Sequence, residues 1–503
     1  MEKRDQKRLL SALILLMTAA AALGCGEAAA EENAAPVNTE PVSAPAETLP
    51  AEETEARVLP QLPEALDFDG HKFIIMNNDY SIPLWAQTDI AAEELNGDNL
   101  NDAVHNRNTL IADTYNCSIE SVKTLNLQTD LSKLVRSGDA ALDLATPYLR
   151  TFAVLAQDKY FLDLKTVDSL NLSNPWYDQN SVTELTVGGK LYGAATDLTT
   201  MDKQATTAMV FNKQMYGTYD FDDSYGDIYT LVRDGKWTFD ALKQMVFSVS
   251  GDLDGDGKQT DKDLFGLLYQ RDTLTSFLNG FGVMYAQKNA DDFPEFSLMT
   301  DRGVRILDEI FDLLYEKQYC LNVMADFGED KWSDSMVSMF ADNQALFMWI
   351  RLADCANLRT LNLDFGILPV PKYDEEQEHY KSAVNSYVGA VTTIPVCCYD
   401  PEMTGYFLEA IASESRYSLL PEYYEINLKG KVSRDAESAE MLDLIFSNRL
   451  YDLGEILDPG SFANTLIYMT MTDDRNAVSK WEKTQKSASK QLEKVITKFS
   501  QED

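Results

Sequence analysis

Lys72-Phe73-Ile74-Ile75-Met76-Asn77-Asn78-Asp79 is an apolar run that stops on a polar triplet. A strand covered on both faces reads this way, with its last residues at the edge of the sheet. Outward from it, residues 101–115 have helical spacing, 118–123 are extended, 127–135 are helical and 142–146 are extended again. Strands alternating with helices of this length make a βαβαβ unit, so the fold class is α/β.

Further along, Gly188-Gly189-Lys190 before Leu191-Tyr192-Gly193 has hairpin turn chemistry, and residues 207–212 form a strand. Trp237-Thr238-Phe239-Asp240 opens a helix with Thr238 as N-cap. Residues 301–314 carry Val304, Ile306, Leu307, Ile310, Phe311 and Leu314 near helical spacing. Strands follow at 345–350 and 365–370, and a helix at 401–413.

The 503 residues suffice for two or three ordinary domains or one large two-lobed body. At 45% hydrophobic and 10% aromatic the chain is not wholly disordered. Its net charge of −38 repels phosphate backbones and anionic lipid, which disfavours nucleic-acid binding. The three histidines, His71, His105 and His379, lack the spacing of a zinc site. The cysteines beyond Cys25 follow no CxxC pattern and read as small buried thiols.

Lys3, Arg4, Lys7 and Arg8 precede an apolar run from Leu9 to Leu23, the layout of an export signal. Ala22-Leu23-Gly24-Cys25 resembles a bacterial lipobox, with Leu two places before the cysteine where the usual pattern has it three before. Lipidation at Cys25 is expected, and cleavage after Ala28-Ala29-Ala30 is the alternative that would leave a freely secreted protein. Residues 26–65, rich in Ala, Glu, Pro and Thr, are expected to form a disordered tether with a reach on the order of 35 Å.

From about Leu66 onward the order of segments resembles extracellular solute-binding proteins of ABC importers, of the maltose-binding-protein type (family 1). The resemblance rests on Gly189-Lys190-Leu191-Tyr192-Gly193 before Asp197, Val210-Phe211-Asn212-Lys213, Gly235-Lys236-Trp237-Thr238-Phe239, Asn343-Gln344-Ala345-Leu346-Phe347-Met348, and Asp364-Phe365-Gly366-Ile367-Leu368-Pro369 leading to Gly389-Ala390-Val391. It implies a two-lobed type II periplasmic-binding-protein fold with hinge strands between lobes. Residues 66–206 would form the first lobe, 207–387 the second, 388–425 the return to the first, and 426–503 the helices completing both. In that scheme 207–212 cross outward and 388–394 cross back.

The resemblance also implies a monomer at the outer face of the cytoplasmic membrane that closes over a carbohydrate, an oligosaccharide, and delivers it to permease subunits. Sugar sites combine planar polar groups with aromatic faces. The strand-end candidates are Asn78, Asp79, Tyr80, Tyr148, Arg150 and Asp197. Trp349 and Arg351 stand where relatives contribute a cleft aromatic, and Tyr387, Tyr423 and Tyr424 complete the set.

Asp252-Leu253-Asp254-Gly255-Asp256-Gly257-Lys258-Gln259-Thr260-Asp261-Lys262-Asp263 fits the EF-hand loop. A structural Ca²⁺ is expected on Asp252, Asp254, Asp256, the Lys258 carbonyl, Thr260 and Asp263. The last position holds Asp where the loop usually has Glu, and no second loop pairs with it. The rival functions are a secreted glycan-active enzyme using two carboxylates and a calcium-stabilised surface adhesin. No nucleophile-elbow, Walker or dinucleotide motif favours catalysis, so the expectation is a binding protein and not an enzyme.

Overall fold

The structure, a computed structural model, describes residues 57–138, 142–358, 363–424 and 436–501. The export signal, Cys25 and the tether up to residue 56 lie outside them. The end of the expected tether is docked: Arg57 pairs with Glu414, and the Val58 amide donates to the Tyr417 hydroxyl at 2.8 Å.

The opening run forms β1 (His71–Asn78), with Phe73, Ile75 and Met76 buried. The helix α1 (Asn99–Tyr115) begins where Asp98 accepts from the Leu100 and Asn101 amides, and ends on Asn116 in the left-handed region. Then come β2 (Cys117–Thr124), α2 (Leu127–Ser137), β3 (Leu144–Thr146) and α3 (Leu149–Gln157). The sheet runs β2-β1-β3, all parallel, which confirms the βαβαβ reading and puts Asn77 beside Thr146 at its carboxyl edge.

A short helix, α4 (Met201–Gln204), leads into β4 (Thr207–Asn212) and the second lobe. That lobe adds α5 (Phe239–Val246), β5 (Leu264–Tyr269), α6 (Thr273–Gly280), β6 (Ala286–Lys288), β7 (Pro294–Phe296), α7 (Asp301–Leu314), β8 (Cys320–Asn322), α8 (Trp332–Ala341), β9 (Ala345–Arg351) and β10 (Phe365–Leu368). Thr238 caps α5 as the sequence predicts. The sheet order is β10-β4-β9-β5, with β8 also on β5, and β5, β8 and β9 are parallel. Successive residues of β4 face opposite cores, Met209 and Phe211 one and Ala208 and Val210 the other. Each lobe therefore closes its own apolar interior, and the carboxyl ends of its parallel strands share one edge.

The chain crosses between lobes repeatedly. Thr206 bridges Val384, and the Asn385 amide donates to the Ala205 carbonyl at 3.0 Å. Beyond that point residues 390–393 lie against Ala145, Tyr148 and Ala194 of the first lobe. The strand β11 (Ser382–Ala383) stands just before this crossing, and the bridge partners of 390–393 belong to the first-lobe core. The helix α9 (Pro401–Tyr417) packs there, with Phe407 stacked on Phe73 at 3.8 Å. Then α10 (Ala436–Ser447) serves the second lobe, β12 (Arg449–Leu450) pairs with β11, α11 (Leu453–Leu457) packs on the first lobe and α12 (Phe462–Met469) on the second. The last helix, α13 (Ala477–Ser500), reaches both.

Candidate ligand cleft

Strand geometry gathers several predicted residues at one place. Asp79 and Tyr80 follow β1, and Tyr148 follows β3. The Tyr80 and Tyr148 rings meet edge to face at 6.4 Å, and the Tyr148 hydroxyl donates to the Trp85 carbonyl. Across from them, Arg351 ends β9. Its guanidinium lies 4.0 Å from the Trp85 ring centroid and 5.1 Å from that of Trp332, so one cation is held between indoles of the two lobes.

Arg150 anchors a second group. Its Nε donates to Ser386 Oγ at 2.9 Å, it pairs with Asp458 at 3.2 Å, and it lies 4.1 Å over the Tyr387 ring. The Tyr387 hydroxyl donates to Asn464. Its amide donates to Asn385, whose side chain donates to Asp272 at 3.0 Å. Arg271 binds the Tyr468 hydroxyl and Glu329, and the Asp272 amide donates to Gln270. Burial opposes the charge on Arg150, but Glu455, Tyr387 and Asp458 outweigh it and hold its pKa above the ordinary value. The neighbouring Glu455 carboxyl is pushed by burial up to about 8.

Several side-chain atoms here are buried and have no hydrogen-bond partner: Gln87 Nε2, Arg150 Nη2, Gln270 Nε2, Asp272 Oδ1 and Arg351 Nη2. A buried polar atom left unpaired costs about 1–3 kcal/mol, and polar groups of a ligand would relieve that cost. These atoms belong to residues at or just beyond the carboxyl ends of β3, β5 and β9, or to Gln87, which binds Asn78 at the end of β1. Open α/β sheets place ligands at such ends.

Other candidates stand elsewhere. The Asn78 side chain is used internally, donating to Gln87 and to the Thr146 carbonyl at 2.6 Å. Trp349 is 1% exposed and packs in the second-lobe core, because β9 is covered on both faces. Asp197 binds Lys203 at 2.9 Å and Arg416 at 3.1 Å, in a separate pocket of about 340 Å³ that Tyr423 and Tyr424 also line. Trp85, Trp332 and the 270–272 segment were not anticipated. The last was findable, since Leu264-Phe265-Gly266-Leu267-Leu268-Tyr269 is an apolar run ending on polar residues, as β1 is.

In the acidic loop, carboxylate oxygens of Asp252, Asp254 and Asp256 come within 4.8 Å of one another. Asp263 does not join them. Its oxygens accept from the Leu253 amide at 2.8 Å and the Thr260 amide at 2.7 Å, and the latter bond leads in holding its pKa below the ordinary value. Thr260 Oγ1 also donates to Asp263.

No protein-family model matches the chain, and neither does any curated protein sequence. Solved structures do. A cyclo/maltodextrin-binding protein complexed with maltotetraose superposes with a TM-score of 0.54 at 13% identity, covering 85% of this chain and 96% of its own. UspC of M. tuberculosis gives 0.54 at 12%, covering 83% and 99%. The apo-form of RafE from Streptococcus pneumoniae gives 0.52 at 13%, covering 86% and 97%. The chain thus has the two-lobed α/β fold of maltose-binding-protein-like solute-binding proteins.

Proposed function

We propose that this protein is an extracellular receptor, lipid-anchored at Cys25, that captures an oligosaccharide between its lobes and hands it to the permease of an ABC importer. One observation carries the reading: unpaired buried polar atoms of both lobes stand at the strand ends, beside exposed Tyr80 and the Trp85–Arg351–Trp332 stack. Hydroxyl groups complement such donors and acceptors, and sugar C–H faces complement rings. Contacts of a solute to both lobes add to those the lobes make with each other and favour the closed form. The maltotetraose bound to the cyclo/maltodextrin-binding protein supports the same choice.

The test is calorimetric titration with maltodextrins and other neutral oligosaccharides, with the sugars analysed afterwards. Saturable binding with intact sugar is expected. Cleavage would indicate a glycan-active enzyme, and silence across the panel would remove the sugar reading. Asp272→Ala and Arg351→Ala should each weaken binding by about 10–100-fold, the loss of one or two buried hydrogen bonds at 1.4 kcal/mol per decade.

We propose as part of this reading that the loop holds a structural calcium, on the EF-hand spacing of Asp252, Asp254 and Asp256. Extracellular calcium modules bind with Kd of about 0.1–1 mM. At the tight end, 1 mM Ca²⁺ should stabilise the fold by about 1.4 kcal/mol, seen as a rise in Tm that EGTA reverses and Asp256→Asn abolishes. An unchanged Tm would leave the loop an acidic turn.

A further inference from the structure

The last helix has its two ends in different lobes. At its start, Trp481 packs against Phe296 at 4.8 Å and Phe462 at 4.7 Å, within the second-lobe core that also holds Ala477. At its end, Val495 and Phe499 enter the first-lobe core, with Phe499 5.6 Å from Tyr192. Lys498 pairs with Asp158 at 2.8 Å, and Lys159 and Lys190 both donate to the Gln501 carbonyl. Midway, α13 presses on the crossing between α11 and α12. A Cβ on Gly460, which has φ +74°, would lie 2.7 Å from that of Ala488, and the Gly460 amide donates to Gln491.

A second tie runs alongside. The β6–β7 hairpin leaves the second lobe and seats on the glycine turn of the first. The Gly188 amide donates to the Asp292 carbonyl and the Gly189 amide to its carboxylate, both at 3.0 Å. Lys288 donates to the Thr183 carbonyl at 2.6 Å. Gly188 is held in a left-handed turn so close to the Phe293 ring that a Cβ would come within 2.6 Å of it. Through Phe296 the hairpin also touches Trp481, which joins the two ties.

We propose that α13 and the β6–β7 hairpin form a latch that holds the lobes at one angle without solute, and that opening requires the last turns of α13 to leave the first lobe. A helix does not stretch. From Ala488 to Phe499 its arm is about 16 Å at 1.5 Å per residue, so a lobe rotation of about 20° about Gly460 would move the Phe499 seat by about 6 Å. No side chain keeps its contact across that distance. The first-lobe end is the one to yield, since it is held by Val495, Phe499 and partly exposed lysines, whereas the other end is fixed by a tryptophan between two phenylalanines. The inference is independent of which solute the cleft takes.

The test uses the solute-free full chain with Val495→Asp/Phe499→Asp, and a milder Lys159→Glu/Lys190→Glu variant that alters only partly exposed residues. Both are checked for a cooperative thermal transition, and the milder pair carries the test if the first does not fold. Amide exchange at Gly188 and Gly189, whose hydrogens are bonded across the lobes, should accelerate at least tenfold. The scattering radius of gyration should grow by about 1 Å on about 23 Å. Free exchange in the last turns of α13, with Gly188 and Gly189 still protected and the radius unchanged, would overturn the latch.

Discussion

Replacing Arg449 by Met should destabilise the protein by about 3–5 kcal/mol, the range for breaking a buried ion pair from one side. Arg449 is almost wholly buried at the third crossing between lobes; it pairs with Asp178, and with Asp202 at 2.7 Å. Burial opposes its charge, but the two aspartates outweigh that and raise its pKa. Burial also raises the pKa of Asp202, against the pull of Lys203 and Arg449. Methionine keeps much of the volume and removes the cation, leaving Asp178 without its guanidinium and Asp202 with Lys203 alone at 3.2 Å. Urea unfolding should show a lower midpoint. The double variant Arg449→Met/Asp178→Asn should recover part of the loss, because it no longer strands the Asp178 charge. Equal losses in the single and double variants would mean that packing, not charge, holds this crossing.

The sequence carried the fold wherever local rules and burial agree. The 72–79 run, the Thr238 cap and the 301–314 helix are short-range features, and the structure has each of them. Placement of the site was harder because it depends on which face a buried strand presents. Every residue of β9 is buried, and Trp349 and Arg351, two residues apart, share one face, so only position along the strand separates Trp349 in the second-lobe core from Arg351 at the strand end. Asp197 has the same strand-end signature as Asp79, yet its oxygens are taken by Lys203 and Arg416, residues it meets only through the fold. Trp85 sits on a three-residue helical turn and Trp332 at the start of a helix, and nothing local to either signals that they flank one arginine from opposite lobes. The resemblance assigns residues 426–503 to both lobes, but nothing in the composition says that the single helix α13 has one end in each core.

Glu455→Gln should remove a large pH dependence. Glu455 is buried beside Arg150 and accepts from Ser386 Oγ at 2.7 Å. Burial is the leading cause that pushes its carboxyl from 4.5 up to about 8, with Arg150 and Ser386 pulling the other way. Below about pH 4.5 the group is protonated in both the folded and unfolded chains, and its stability contribution is fully present. Between 4.5 and 8 the unfolded chain loses this proton while the folded chain keeps it, so the unfolded state binds fewer protons and stability falls as pH rises. Above 8 both forms are ionised and the loss is complete. At about 1.4 kcal/mol per pH unit the fall approaches 4–5 kcal/mol. Glutamine preserves the acceptor for Ser386 and cannot ionise, so the variant should gain on the parent by about that amount between pH 4.5 and 8. Asp452, which burial raises to about 6, is present in both chains and cancels to first order in the comparison. Denaturant midpoints measured for the pair at half-unit pH steps would show it. Parallel curves would mean that Glu455 is already ionised at its site beside Arg150, with the pair and not burial setting its state.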